Sequence, residues 1–181
     1  AKGIDYASEL IVSNMKSLLQ LIHWNNENDI KVYRMSSSMF PWMSEYEFKD
    51  LPDYQEICDL LQAIGKLAID NNQRLSFHPG QFCVLASDRP DVVERSIEEF
   101  EYHANMARWM GYGEEFQDFK INVHISGRKG YQGIIDILPK LSQVARNCIT
   151  IENDEMCHGL DQSLKLEKHV ALVLDIHHHW I

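Results

Sequence analysis

Five stretches of the sequence end in polar residues that could bind metal ions. They are Arg34-Met35-Ser36-Ser37, Phe77-His78-Pro79-Gly80-Gln81-Phe82, Val123-His124-Ile125-Ser126-Gly127, Ile151-Glu152-Asn153-Asp154 and Leu174-Asp175-Ile176-His177-His178-His179. Two neutral imidazoles and one carboxylate bind zinc or manganese well, and the two oxygens of a carboxylate can bridge to a second ion. The pattern therefore predicts divalent-metal chemistry, with His78, His124, Glu152 and Asp175 as candidate ligands.

Each of these residues also has an ordinary structural interpretation. A histidine before Pro-Gly, such as His78, is often a hydrogen-bonded turn residue, and Glu152 could cap a helix or form a salt bridge. The three histidines at 177–179 belong to the native chain, because an apolar run precedes them and Trp180-Ile181 follows. Metal binding is favoured because several predicted strands end in a histidine or a carboxylate. Separate structural roles for each of these residues would rarely produce the same pattern at every strand.

Helical and extended patterns alternate along the chain and would position these residues. Apolar residues at spacings of three and four predict helices over 8–27, 54–70, 90–111, 133–146 and 163–169. Strand-forming runs cover 30–35, 74–78, 120–125, 148–152 and 171–176. Strands that each follow a helix indicate a parallel sheet with helical crossovers.

Such a sheet can remain open or close into a barrel. An open nucleotide-binding sheet usually carries a glycine-rich phosphate loop after its first strand, and the sequence contains neither common form of that loop. A barrel places polar residues at the C-terminal end of strand after strand, as observed here. We therefore predict an α/β fold of the TIM (β/α)8 type, represented by an incomplete segment of about five βα units.

Composition limits the class of protein. The 181 residues include 27 acidic and 17 basic residues, giving a net charge of −10, with 45% apolar and 24% charged residues. This composition predicts a soluble globular domain with scattered, reduced cysteines and argues against a disordered tail, a coiled coil or a membrane protein. The acidity does not exclude a nucleic-acid partner, because bound divalent cations would reverse the local charge.

The segments that end the strands resemble those of the UV damage endonucleases (UvdE-like). These are DNA-repair enzymes with a metal-binding TIM barrel, related to endonuclease IV and to the xylose isomerase-like barrels. The matching elements occur in the family's order over residues 30–179. His78-Pro79-Gly80 is shared with endonuclease IV, whereas Gln81-Phe82 and the runs that begin at Glu152 and Asp175 favour the UV damage enzymes.

The resemblance implies a metal role for each matched residue. His78, His124 and Glu152 would hold one ion, Glu152 would bridge to a second ion bound by Asp175, and His178 would hold a third. The ions would be Mn²⁺, with Zn²⁺ or Mg²⁺ as alternatives, up to three in a complete site. The same resemblance identifies His78, His124, Glu152 and Asp175 as catalytic residues.

Contacts with DNA follow from the same resemblance. Gln81 and Phe82 match a glutamine and an aromatic residue that wedge into the duplex at the lesion, and Phe82 stands where the family commonly has tyrosine. Stacking needs a flat apolar face, so the wedge should work without the hydroxyl. Arg34 and Asn153 are further expected DNA contacts.

The function implied is a metal-dependent endonuclease that incises the DNA backbone 5′ to UV photoproducts, namely cyclobutane dimers and 6-4 products, and acts on other lesions such as abasic sites. Its partner would be damaged double-stranded DNA, and the full-length protein would be a monomer without membrane association, in a bacterial-type cytoplasm and on the nucleoid when acting. The alternatives are a xylose isomerase-like sugar isomerase or epimerase, an endonuclease IV-like enzyme for abasic sites, and an inactive binding module.

We expect residues 1–181 to form a single domain, a partial barrel without its first and last strands. By the resemblance, the first strand would precede Ser8, and the last two strands, with further metal ligands, would follow Ile181. Unpaired sheet edges are prone to association. The isolated segment is therefore expected to aggregate, pair or fold poorly, and to lack strong nuclease activity.

Overall fold

The computed structural model describes residues 3–180, which form alternating helices and strands. Their order is α1 (Gly3–Glu27), β1 (Val32–Met35), α2 (Tyr54–Asp70), β2 (Arg74–Phe77), α3 (Pro90–Trp109), β3 (Lys120–His124), α4 (Gly130–Ile137), α5 (Gln143–Cys148), β4 (Ile149–Glu152), α6 (Leu160–Leu164), β5 (Ala171–Val173) and α7 (Ile176–Trp180). Short 3-10 turns cover Met43–Glu45, Phe48–Asp50 and Leu138–Lys140.

The five strands form one parallel sheet in the order β1-β2-β3-β4-β5. Each strand pairs with its neighbour in sequence, as in a TIM barrel, whereas a doubly wound sheet reverses direction at a switch point. The predicted α/β class and its five βα units are therefore confirmed. All five C-terminal strand ends consequently meet on one rim of the sheet.

Burial of both strands and helices fixes this arrangement. Side chains such as Leu75, Phe77, Ile121 and Ile151 are almost fully buried within the sheet. Helix α2 approaches α3 so closely that a Cβ on Gly65 would lie 1.7 Å from the carbonyl oxygen of Met110. Glycine at this position therefore sets the spacing between two of the crossover helices.

Several predicted elements differ from the structure. Helix α1 begins at Gly3 and not at Ser8, and the helix expected over 163–169 lies at Leu160–Leu164. The helix expected over 133–146 is divided into α4 and α5, because Pro139 follows α4 and Ser142 begins a new helix by accepting a hydrogen bond from the N–H of Ala145. The strand expected over 171–176 ends at Val173, and helix α7 follows. No helix within residues 3–180 is long and apolar enough to cross a membrane.

Candidate metal centre

The predicted ligands come together on the C-terminal rim of the sheet. His78 follows β2 directly, while His124 and Glu152 are the last residues of β3 and β4. His124 and Glu152 are also paired in the register of these strands. Ligand atoms of His78, His124 and Glu152 all lie within 4.8 Å of one another. Residues that are up to 74 positions apart in the chain thus form a single group.

The geometry within this first group is close. Nε2 of His78 lies 3.3 Å from Oε2 of Glu152 and 3.2 Å from Nε2 of His124. Nδ1 of His78 lies 3.0 Å from the carbonyl oxygen of Pro79. A carbonyl can only accept a hydrogen bond, so Nδ1 carries the proton and Nε2 of the neutral ring presents its lone pair to the carboxylate.

Glu152 is held in place from beneath. It is 5% exposed, and its Oε2 accepts a hydrogen bond from the side-chain amide of Asn122. The amide is oriented in turn by Thr150, whose hydroxyl donates to the Asn122 oxygen at 3.0 Å. A buried carboxylate is stable only when it is hydrogen-bonded or paired with a cation. Asn122 is therefore a supporting residue that the sequence analysis did not select.

Asp175 and His178 form a second group with Glu152, again with ligand atoms within 4.8 Å of one another. Oδ1 of Asp175 accepts hydrogen bonds from the main-chain N–H groups of His177 and His178, at 2.7 and 3.3 Å. This contact starts helix α7 and explains why the strand stops early. His178 is thereby placed above the sheet, 3.8 Å from the carboxylates of Asp175 and Glu152.

His178 shows the same ring orientation as His78. Its Nδ1 lies 3.0 Å from the carbonyl oxygen of Asn153 and so carries the proton. Its Nε2 then faces Oε2 of Glu155 at 3.4 Å. Glu155 forms a third group with His124 and His178. Glu155 was not among the ligands expected from the sequence, although it lies in the same acidic run as Glu152.

The charges in the centre shift the ionisation of three residues. A proton on Nε2 of His78 would be hydrogen-bonded to Glu152, and this raises the pKa of His78. The hydrogen bond to the Asn153 carbonyl raises the pKa of His178. Partial burial alone would raise the pKa of Asp175, but the N–H groups of His178 and His177 lower it. The carboxylate of Asp175 thus stays ionised beside imidazoles that attract a positive charge.

This donor set fits divalent metal ions. In both His78 and His178, a protonated Nδ1 contacts a carbonyl and an Nε2 lone pair faces a carboxylate. Two acceptors that face each other need a proton or a cation between them, and a metal-binding histidine commonly donates its other N–H to a carbonyl. Imidazole and carboxylate ligands suit manganese and zinc.

Gln81 and Phe82 form the tip of the loop after β2. Gln81 is exposed and Phe82 is 81% exposed. The base of the loop is fixed to α3, where the hydroxyl of Ser96 accepts a hydrogen bond from the N–H of Val84 at 2.9 Å and the carbonyl of Ser96 lies 3.6 Å from Sγ of Cys83. A rigid base therefore presents an apolar tip to solvent, and we call Gln81 and Phe82 the tip pair.

The two other expected DNA contacts lie in different surroundings. Arg34 is exposed in a cleft of about 760 Å³ with His78 and Gln81, and among residues 3–180 it has no ion-pair partner. Asn153 is 0% exposed. Its side chain donates to the Asp175 carbonyl at 2.9 Å and accepts from the Asp175 N–H at 2.8 Å. These two bonds position Asp175, and the DNA contact expected for Asn153 stays a prediction.

Comparison with known proteins identifies the family of this chain. The sequence model of the family described as UV-endonuclease UvdE matches residues 2–181. The chain belongs to this family. A crystal structure of SacUVDE superposes on the UvdE fold of this chain with a TM-score of 0.86 and 28% sequence identity, covering 100% of this chain and 63% of that one.

Two UvdE relatives illustrate the extent of the match. The UV DNA damage endonuclease of Bacillus mycoides (strain KBAB4) is 30% identical over 185 residues, which is 97% of this chain and 56% of that protein. The UV-damage endonuclease of Schizosaccharomyces pombe is 31% identical over 185 residues, or 98% of this chain and 31% of that protein. The chain thus spans between about a third and about two thirds of these UvdE proteins.

Proposed function

We propose that the full-length protein is a metal-dependent endonuclease that incises damaged double-stranded DNA 5′ to UV photoproducts. Its substrates are cyclobutane dimers and 6-4 products, and other lesions such as abasic sites. It acts as a monomer in the cytoplasm, on the nucleoid. Relatives from a bacterium and a fungus bear the names UV DNA damage endonuclease and UV-damage endonuclease, and membership of their family supports the proposal.

The observation that carries the proposal is the convergence of three imidazoles and two carboxylates on one rim. His78, His124, Glu152, Asp175 and His178 share this position, and Glu152 belongs to two of the groups. They would hold up to three divalent ions, Mn²⁺ first, with Glu152 bridging two of them. Bound divalent ions supply Lewis acidity toward a phosphodiester and activate water as a nucleophile.

The protein's own residues orient this chemistry. The carbonyls of Pro79 and Asn153 fix which nitrogen of His78 and of His178 is available to an ion. Asn122 holds the buried Glu152 between the two groups. A centre built in this way keeps its ligands in position before substrate arrives, which lowers the reorganisation required during the reaction.

DNA binding must overcome the net charge of −10. Cations at the rim would neutralise the carboxylates that face the substrate. Arg34, without an ion-pair partner among residues 3–180, leaves its positive charge available to a phosphate beside the centre. The exposed ring of Phe82 would enter the duplex at the lesion, where damaged bases are the easiest to unstack.

The test compares three substrates with the full-length protein and added Mn²⁺. The substrates are an end-labelled duplex with one thymine dimer, the same duplex undamaged, and a free aldose. We expect cleavage on the 5′ side of the dimer only, abolished by a chelator and restored by Mn²⁺. Isomerisation of the sugar without cleavage would replace the proposal with the isomerase alternative.

A further inference from the structure

Helix α3 contacts β2 and the loop after it at successive levels. The hydroxyl of Ser96 accepts a hydrogen bond from the N–H of Val84, in the loop, at 2.9 Å. Two turns further along the helix, the ring of His103 packs edge-on against Phe77, the last residue of β2, with ring centroids 5.2 Å apart. The chain from β2 into the loop therefore runs along α3 in the direction opposite to the helix.

Glu99 lies between these two contacts, three residues after Ser96 and four before His103. Residues at such spacings share one face of a helix. The side chain of Glu99 lines the cleft of about 760 Å³ together with Gly80 and Gln81. The course of the loop along α3 thus brings Gly80 to the level of Glu99.

The carboxylate of Glu99 is half-buried, and among residues 3–180 it has no ion-pair partner. Burial raises the pKa of Glu99, and a hydrogen bond from the main-chain N–H of Gly80 opposes the rise. A carboxylate that is partly removed from water is costly unless it accepts hydrogen bonds. The loop supplies a donor for it.

The tip pair occupies the two central positions of a tight turn. The N–H of Cys83 donates to the Gly80 carbonyl at 3.0 Å, which closes a four-residue turn around the tip pair. The last residue of the turn is attached to α3, since Sγ of Cys83 lies 3.6 Å from the Ser96 carbonyl. Gly80 is the first residue of the turn, and its contact with Glu99 attaches the other end to the same helix.

The charge of Glu99 is unfavourable for a direct contact with DNA. The carboxylate shares its cleft with Arg34, whose guanidinium is available to a phosphate. A negative charge at this position repels the phosphate that Arg34 would attract. This electrostatic cost indicates that Glu99 acts on the protein and not on the DNA.

We propose that Glu99 is a positioning residue, which holds the main-chain N–H of Gly80 against α3 and so fixes the direction in which the tip pair projects. Ser96 and Glu99 together attach both ends of the turn to one helix, and a turn held at both ends cannot rotate about either. The inference rests on the proposed function, in which Phe82 enters the duplex at the lesion. A loop that is aimed in advance loses less entropy on binding.

Three variants at position 99 separate the reach of the side chain from its charge. Glu99→Gln retains an oxygen acceptor at the same reach and removes the charge, whereas Glu99→Asp retains the charge and shortens the side chain. Glu99→Ala removes both. Glu98→Ala is the matched control, because Glu98 is an exposed glutamate of the same helix that does not line the cleft with Gly80.

The measurement is the ratio of two affinities of the full-length protein with Mn²⁺, for a duplex with one thymine dimer and for the same duplex undamaged. We expect Glu99→Ala and Glu99→Asp to lower this ratio by roughly 2- to 10-fold, the effect of losing one hydrogen bond. Glu99→Gln and Glu98→Ala should keep the wild-type ratio, and bound metal should be unchanged in all four variants. Partial unfolding lowers both affinities together and leaves the ratio unchanged. Glu99→Asp carries the test if Glu99→Ala fails to fold.

A second measurement shows whether Glu99 acts through the tip pair. In a Gln81→Ala/Phe82→Ala background, Glu99→Ala should cause no further fall in the ratio, because the side chains that it positions are absent. A further fall in that background, an unchanged ratio in Glu99→Asp, or an equal fall in Glu99→Gln would overturn the positioning role. A wild-type protein that binds both duplexes equally and cleaves neither would instead overturn the proposed function itself.

Discussion

The rings of His78 and His124 face each other through their Nε2 atoms, 3.2 Å apart, at the ends of neighbouring strands. Neither nitrogen has a carbonyl partner on that side, and the buried carboxylate of Glu152 completes the group. Because Nδ1 of His78 already holds its proton against Pro79, this group attracts a cation into the space that its members share.

Glu152 should be the least replaceable ligand, because it belongs to two of the groups. We predict that Glu152→Gln in the full-length protein lowers both bound metal, measured by mass spectrometry, and the cleavage rate. Glu114→Gln, at an exposed position before β3, is the matched control and should change neither. Full metal content and a normal rate in Glu152→Gln would show that the bridging role is wrong.

Phe82 should affect lesion recognition and not metal binding. Replacing it by alanine removes a stacking surface, and such surfaces contribute about 1–3 kcal/mol per base. We expect weaker binding to dimer-containing duplex with unchanged metal content. Phe116→Ala is the control, since Phe116 is 66% exposed but precedes β3 and so lies toward the opposite end of the sheet. Equal binding of damaged and intact DNA by the wild type would contradict the proposal that Phe82 enters the duplex at a lesion.

Asn153 should support the second metal group through Asp175. Asn153→Ala loses both side-chain hydrogen bonds to the main chain of Asp175, and we expect a loss of about 2 kcal/mol of unfolding free energy together with lower metal content. Asn153→Asp retains an acceptor for the Asp175 N–H, so its stability and metal content should lie between those of Asn153→Ala and the wild type. Chemical denaturation and metal analysis measure both effects, and unchanged values in Asn153→Ala would contradict the positioning role.

His103 should make the fold sensitive to acid. Burial against Phe77 and Tyr102 lowers its pKa from 6.5 to about 4. The unfolded chain then binds more protons between these values, so the contribution of His103 is complete above pH 6.5 and is lost as pH falls toward 4. The loss amounts to about 2 kcal/mol at pH 5.

The measurement is urea denaturation at pH 7 and pH 5 of the wild type and of His103→Leu. The variant has no titrating group at this position, so its stability should fall less between the two pH values than that of the wild type. An identical fall in both proteins would show that another group is responsible.

Much of the site was predictable because the C-terminal ends of parallel strands lie on the same rim of the sheet. A polar residue at the end of an apolar run is therefore placed on that rim. Apolar runs that end in His78, His124, Glu152 and Asp175 place these residues on one rim, whatever the lengths of the intervening helices. The periodicity of α2, with Ile57, Leu61 and Ile64 buried, likewise predicted its bounds at Tyr54 and Asp70. Both inferences depend only on local geometry that repeats along the chain.

The remaining features depend on contacts that spacing does not encode. Asn153 follows the ligand Glu152 directly, yet it is buried because the backbone of Asp175 satisfies its side chain. The helical periodicity of residues 133–146 favours one continuous helix, whereas Pro139 and Ser142 favour an interruption. The structure contains the interruption.

The sequence by itself determined the order of the five strands, the parallel sheet and the rim on which the candidate ligands lie, because each follows from the periodicity of side chains along one segment. The tertiary structure decided which polar groups face one another and which nitrogen of His78 and of His178 carries the proton. Those outcomes depend on distances between loops that are far apart in the chain, and such distances are set by the packing of the whole sheet and its helices.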